Sequence, residues 1–328
     1  MDWFQFNFND FTISFLSLVL ESVPYLLLGS LISGFVEVFV PASAFDRFLP
    51  KRPALAVLLS GIVPLVLPMC ECGVVPVIRR LMKKGLPPAY AMTYMLAAPI
   101  VNPVVALSTL AAFSGGDFFA PKDAGGFFSE TPAYVVVCYR MALGYVVAVG
   151  CGFLALAFKP KSYLKAGVLE PDAAPSRTGL RKIGEGDQTA PLSPGRRVLQ
   201  AFGYAGHDFV EIASFLVIGC VLTSIFNTSV NQDIIVPLAL EPWKAVSVML
   251  VLAFVLALCS TSDAFIAATF TTFPVSAQLG FLVFGPVYDI KLMFLYSLVF
   301  RKRVVVGFGL GLFAFLLVVC LRLLPYLQ

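Results

Sequence analysis

The chain has 328 residues, of which 59% are hydrophobic and 13% charged, and its mean hydropathy is +0.89. A soluble protein cannot hide that much apolar surface, so the solvent for most of the chain must be lipid. The formal net charge of +4 carries no nucleic-acid footprint.

The N-terminal stretch Met1–Asp10 lacks the basic region of a signal peptide and a small-residue cleavage site, so the first span is expected to be retained. Apolar stretches long enough to cross a hydrocarbon core recur at 12–40, 87–113, 132–158, 209–226, 275–300 and 304–325. Two further stretches, 53–68 and 243–262, run into unusual segments around Cys70 and Cys259. Between the halves, 159–206 carries Pro160, Pro171, Pro175, Pro191 and Pro194, several glycines, mixed charge and no apolar periodicity. It reads as a flexible cytoplasmic linker without chemistry of its own. The expected organisation is an N-terminal membrane repeat (1–158), that linker, and a C-terminal membrane repeat (207–328).

The repeat is visible in register. An offset of 190 lays Glu21 over Glu211 and Gly29 over Gly219; an offset of 187 lays Cys72 over Cys259, Pro87 over Pro274, Pro99 over Pro286 and Asn102 over Asp289. Internal repeats in a polytopic membrane protein are the usual signature of a transporter.

Charge sets the topology. Lys and Arg gather at Arg47/Lys51/Arg52, at Arg79/Arg80/Lys83/Lys84, between Lys159 and Arg197, and at Arg301/Lys302/Arg303. The other connections are acidic or nearly neutral: Asp2/Asp10, Asp117/Asp123/Glu130 and Asp233/Glu241. Cytoplasmic loops carry the Lys/Arg excess, so the two sets should face opposite sides. A full crossing by 53–84 would put Arg79–Lys84 on the wrong side; a re-entrant hairpin turning near Cys70–Gly73 removes the conflict. A matching hairpin over 243–273, entering from the other face, then places Arg301–Arg303 in the cytoplasm. Each half becomes three transmembrane helices plus one re-entrant hairpin, an all-α fold of two inverted repeats with both termini outside. Trp3 and Trp243 read as interfacial anchors.

The chemistry-bearing segment is Pro68-Met-Cys70-Glu71-Cys72-Gly73-Val-Val-Pro76. Proline and glycine interrupt helix there, and non-helical backbone at membrane depth is tolerated only against protein or a water-filled cavity. Two thiols, a carboxylate and the Met69 thioether make a soft ligand set suited to Cu(I), Zn(II) or a trivalent metalloid. The helix N-terminus after Gly73 would favour a thiolate. The competing reading is that cysteine is a small apolar residue suited to a tight turn. In the second copy Cys259-Ser-Thr-Ser262-Asp263 keeps one thiol and adds hydroxyls and a carboxylate. Asp263 reads either as a proton-coupling group or as a cap of the returning half-helix.

Ala97-Ala-Pro99-Ile-Val-Asn102 and Phe284-Gly-Pro286-Val-Tyr-Asp289 each place a proline and then a polar side chain in the middle of an apolar span. Proline breaks the ladder, and Asn102 and Asp289 would line a cavity beside the hairpin tip. A purely structural kink, with Lys291 neutralising Asp289, is the alternative. Glu21 and Glu211 are explained by helix N-termini, and His207 beside Asp208 by a surface position. The seven cysteines are scattered singly apart from Cys70 and Cys72, which gives no disulfide framework. No nucleophile elbow, phosphate-binding glycine loop or HExxH motif is present, so no enzyme and no cofactor is expected.

Leu67-Pro-Met-Cys-Glu-Cys-Gly-Val-Val-Pro-Val77, Lys84-Gly-Leu-Pro87 and Ala97-Ala-Pro-Ile-Val-Asn-Pro103 resemble the predicted permease family once called domain of unknown function 318. That family includes the organoarsenical efflux permease ArsP and relatives proposed to export copper, zinc or arsenite. The resemblance implies a recognition role for Cys70 and Cys72, as metal or metalloid ligands, and for Cys259. Glu71 departs from the Cys-Ser-Cys-Gly usual there, and a carboxylate between the thiols shifts preference toward a cation.

These readings converge on a secondary permease of the bacterial inner membrane. It would export a soft, thiol-binding solute (trivalent arsenic, an organoarsenical or a heavy-metal species) by alternating access. Cys70, Glu71, Cys72, Cys259, Asn102 and Asp289 would surround the substrate, and Glu71 or Asp263 would handle a coupling proton. Its partners are the lipid bilayer and the small solute. The rivals are a membrane thiol oxidoreductase using Cys70/Cys72, which needs a strained C-x-C ring and lacks a second pair, and a passive channel.

Overall fold

The computed structural model describes residues 8–39, 52–114, 132–165, 194–229, 241–270, 272–323 and 325. The expectations for 1–7, Arg47, Lys51, Asp117, Asp123, Glu130, Asp233 and the linker centre (166–193) fall outside the described residues.

The elements among the described residues are helical: α1 (Phe8–Phe39), α2 (Pro53–Ile62, continued by a 3-10 turn Val63–Leu65), α3 (Glu71–Lys83), α4 (Pro88–Ala97), α5 (Pro103–Phe113), α6 (Ala133–Ala157), α7 (Pro160–Tyr163), α8 (Pro194–Ser229), α9 (Pro242–Leu256), α10 (Asp263–Thr269), α11 (Val275–Val287), α12 (Ile290–Tyr296) and α13 (Lys302–Leu323). Proline in the first turn starts α2, α4, α5, α7 and α9, where its missing N–H costs nothing. Five described stretches are long and apolar enough to cross a membrane: Phe8–Phe39, Ala133–Ala157, Gly195–Ile225, Val275–Tyr296 and Lys302–Leu323.

Two expected spans are interrupted. The stretch 87–113 divides into α4 and α5, with a turn through Pro99 and with Asn102 capping α5 ahead of Pro103. The stretch 275–300 divides into α11 and α12 at Tyr288–Asp289, one residue beyond the helical turn that holds Pro286. Both interruptions are full helix breaks followed by a capped second helix, rather than kinks in a continuous one. Residues 194–206, read from sequence as the end of the tether, form the first turns of α8.

Close approaches fix the helix directions. Ser33 bonds Asp208 and Phe35 meets Phe202 edge to face, so contacts descend along α8 as they rise along α1, and the two run antiparallel. Gly29 meets Gly73, Ser33 reaches Pro76 O, and Lys84 Nζ bonds Val36 O and Glu37 O, so α3 runs parallel to α1. Gly152 meets both Val57 and Thr93, Gly61 meets Tyr145, and Gly144 meets Ile100. Hence α2 and the broken pair α4–α5 both run antiparallel to α6. Gly280 meets Cys320 and Gly309 meets Tyr288, which makes α13 antiparallel to α11–α12. Leu164 bridges Phe300, and Arg301 N bonds Tyr163 O at 3.0 Å.

One end of the bundle therefore gathers the ends of α1, α3, α6 and α12 with the starts of α2, α4, α8 and α13. The described basic residues there are Arg52, Arg79, Arg80, Lys83, Lys84, Lys159, Lys165, Arg196, Arg197, Arg301, Lys302 and Arg303. At the other end stand Asp10, Arg322 and the start of α9, where Lys244 at 2.9 Å holds the Glu241 carboxyl below its usual range and Trp243 donates to the same carboxylate. Within the bundle Val275–Tyr296 is the most enclosed span, 89% buried against 28% for the best window of α1 and of α13. The outer faces of α1, α8 and α13 carry exposed Leu, Ile, Val and Phe, which suits lipid contact.

Candidate functional site: two helix breaks meeting in the membrane interior

Cys70 closes the first break. Its backbone is extended, and its Sγ accepts from Gly73 N at 3.4 Å, so the thiol is the N-cap of α3. The helix starts at Glu71 rather than after Gly73, because the cysteine supplies the acceptor that the first turn needs. Gly29 of α1 lies so close that a Cβ there would sit 2.6 Å from Gly73 Cα; the tip of α3 is seated directly on α1. Cys72 and Glu71 are buried, and Cys70 and Met69 are half-buried.

The second break follows α9. Ala257 ends that helix in the left-handed region, at φ 46°, and Cys259 Sγ accepts from Thr261 Oγ1 at 3.7 Å. The two breaks touch: Ser260 Oγ donates to Glu71 Oε2 at 3.5 Å. Cys72 lies within electrostatic reach of Cys70, Cys259, Glu71 and Lys291.

Each break also packs against the broken helix of the other half, α3 against α12 and α10 against α5. On the first side, Asp289 caps α12 by accepting from Leu292 N at 2.6 Å through Oδ1. Lys291 Nζ lies 3.8 Å from Asp289 Oδ2 and 4.0 Å from Glu71 Oε1. All three side chains are buried. Asp289 Oδ2 has no hydrogen-bond partner. Gly219 of α8 permits this placement, since a Cβ there would come within 2.9 Å of Lys291 Cα.

On the second side, Arg140 of α6 reaches across. Its Nη2 donates to Asp263 Oδ1 and Oδ2 at 2.9 and 2.8 Å and to Ser260 O at 3.0 Å, and its Nη1 donates to Thr109 Oγ1 at 2.6 Å. Asp263 stands in the first turn of α10, whose cap residue is Ser262, and is engaged by the arginine. Ser262 donates instead to Glu21 at 3.0 Å. Asn102 Oδ1 accepts from Val104 N at 3.0 Å, which makes it the N-cap of α5.

The sequence singled out Glu71, Cys70, Cys72, Cys259 and Asp289, and these gather around the first tip with Lys291. Asn102 and Asp263 belong to the opposite side, the former as a cap and the latter as an arginine partner. Arg140, Thr109 and Ser260 were not singled out. A lone arginine inside the apolar run 133–157 was the available signal, because an intramembrane charge is costly without a partner.

Nearer the basic end, Arg80 clasps Asp208 through Nε at 2.9 Å and Nη2 at 2.8 Å, Ser33 donates to the same carboxylate at 2.7 Å, and Arg79 pairs with Glu211 at 2.7 Å. His207 is exposed there, and its ring nitrogen lies within 4.8 Å of the Asp208 and Glu211 oxygens. Among the described residues this is the group of three or more metal-capable side chains that comes so close together. Both carboxylates are held by arginines, so the cluster reads as an ion-pair lock between α3 and α8.

The architecture defines an all-helical polytopic membrane protein with charges buried at paired helix breaks. A family profile described as "Predicted permease" matches residues 7–323, and the chain belongs to that family. It is 32% identical to "UPF0718 protein YcgR" of Bacillus subtilis over 92% of each chain. It is 28% identical to a Streptococcus mutans protein named "Putative two-component membrane permease complex subunit", over 90% of this chain and 88% of that one. No solved structure matches the chain. Membership of a permease family supports a membrane transporter.

Proposed function

We propose that the chain is a secondary permease of two inverted repeats that exports a soft, thiol-binding solute by alternating access. The solute class is trivalent arsenic, an organoarsenical or a heavy-metal species. The succession α1–α6 and the succession α8–α13 share one order: long helix, short helix, break, short helix, broken span, long helix. The first members of the two series run antiparallel, as inverted copies must. The repeats would be 1–158 and 207–328, with 159–206 tethering them in the cytoplasm. The hairpin α2–α3 would enter from the basic end and α9–α10 from the opposite end. The Lys/Arg excess supports an orientation with the basic end in the cytoplasm of a bacterial inner membrane and both termini outside.

The observation that carries this reading is the contact between Ser260 and Glu71, at 3.5 Å, which brings the two breaks to one buried point. Cys70, Cys72 and Cys259 would supply soft ligands, Glu71 and Asp289 negative charge, and Asn102 the held end of a broken helix beside the path. Proton uptake at Glu71, or at Asp263 once Arg140 withdraws, would supply coupling. Everted proteoliposomes should accumulate arsenite or Cd(II), and changing Cys70 and Cys72 together to serine should cut the rate at least tenfold. Undiminished transport by that double variant rejects the thiol site.

A further inference from the structure

Lys291 is a buried ammonium placed between two carboxylates that come from different parts of the chain. Glu71 stands at the first helix break; Asp289 and Lys291 stand at the break between α11 and α12. The distances are 4.0 and 3.8 Å, beyond hydrogen-bond length, so the ammonium faces both carboxylates without being clasped by either and offsets one of their two charges. Asp289 Oδ2 is buried and lacks a hydrogen-bond partner. Buried polar atoms are ordinarily satisfied, so an orphan oxygen facing this cluster marks a position that a ligand can fill. The backbone of Lys291 is pinned against Gly219, so any displacement of the ammonium falls to the side chain.

We infer that Lys291 is a tethered cation that occupies the cation subsite of the transport pathway and is displaced by the solute. This rests on the transporter reading above and assigns the residue that sets its charge preference. A soft metal cation bridging Glu71 and Asp289 beside the thiols cannot share that volume with the ammonium, because like charges repel strongly in a low-dielectric interior. Entry of the cation expels Lys291, and return of Lys291 expels the cation. The lysine also offsets part of the charge of the empty site, which otherwise would hold two uncompensated buried carboxylates during the return step. Glu71 and Asp289 belong to different halves, so exchanging a bound cation for the lysine changes what holds the halves together.

The test uses the purified full chain in lipid nanodiscs with Cd(II) as the probe, its affinity read by competition with a chromogenic chelator, together with Cd(II) transport in proteoliposomes. Lys291→Met is expected to bind Cd(II) at least tenfold tighter while transporting it at least tenfold more slowly, since nothing drives release. Lys291→Arg is expected to bind at least tenfold more weakly, because a guanidinium clasps carboxylates that the ammonium only approaches. It keeps the buried charge and therefore remains informative should Lys291→Met fail to fold. Unchanged or weaker binding by Lys291→Met, or unchanged or tighter binding by Lys291→Arg, overturns the inference. The thiol site is judged separately by the Cys70/Cys72→Ser variant in the same assay. Loss of affinity there with no response at Lys291 leaves the thiol site standing alone, and the converse leaves the lysine standing alone.

Discussion

Arg140 is the side chain on which the second helix break depends. It is buried about two turns into the long apolar helix α6, where its cost is offset by the Asp263 carboxylate, Ser260 O and Thr109. Arg140→Met leaves Asp263 buried without a partner and should cost about 3–5 kcal/mol, read as a lower unfolding temperature in detergent. Adding Asp263→Leu removes the stranded charge and should recover most of that loss. Failure of the double variant to recover stability would mean that Arg140 acts through packing alone. Asn102 is more modest: Asn102→Ala removes the α5 cap and should cost about 1 kcal/mol, and Asn102→Ser should restore it. A transport defect that persists in the serine variant would assign Asn102 a role beyond capping.

At the scale of elements, the sequence displayed the helix breaks well and their partners poorly. Pro68 and Pro99 lie in interruptions and Pro286 two residues before one, because proline conflicts with helix locally and such conflicts can be read from neighbours in sequence; Gly73, by contrast, lies inside α3. That Asn102 and Asp289 begin new helices, rather than sit on kinked ones, follows from cap geometry, which needs the residue's own extended backbone. The crossing of α3 onto α12 and of α10 onto α5 joins residues more than a hundred positions apart, and no local pattern encodes it. Two substitutions probe these elements. Gly29→Ala drives a methyl into the backbone of Gly73 and should cost about 1–3 kcal/mol by separating α1 from α3. Ala257→Gly relieves a left-handed residue at the end of α9 and should stabilise by about 1 kcal/mol. Equal unfolding temperatures for either variant and the parent would contradict the corresponding geometry.

At the scale of the whole molecule, composition alone required lipid as solvent, and the distribution of Lys and Arg already divided the loops between two faces. The helix directions gather most of the described basic residues at one end, with Lys244 and Arg322 at the other and Arg140 in the interior. What composition could not reveal is the filling of the interior. Val275–Tyr296 is wrapped by protein, and the ion pairs Arg80–Asp208, Arg140–Asp263 and Lys291–Glu71 lie between helices. In a cysteine-free chain, Lys302→Cys and Lys244→Cys should react with a membrane-impermeant maleimide from opposite sides, the former only from the cytoplasm. Labelling of both from one side would remove the proposed orientation.

The meeting of the two breaks is tested most directly by cross-linking in native membranes. Glu71→Cys and Ser260→Cys, introduced together into a cysteine-free chain with a protease site between 166 and 193, place one thiol at each tip. After treatment with a short bis-maleimide and cleavage of the linker, the halves should migrate as a single band in denaturing gels. Two separate fragments from intact, folded membranes would contradict the account.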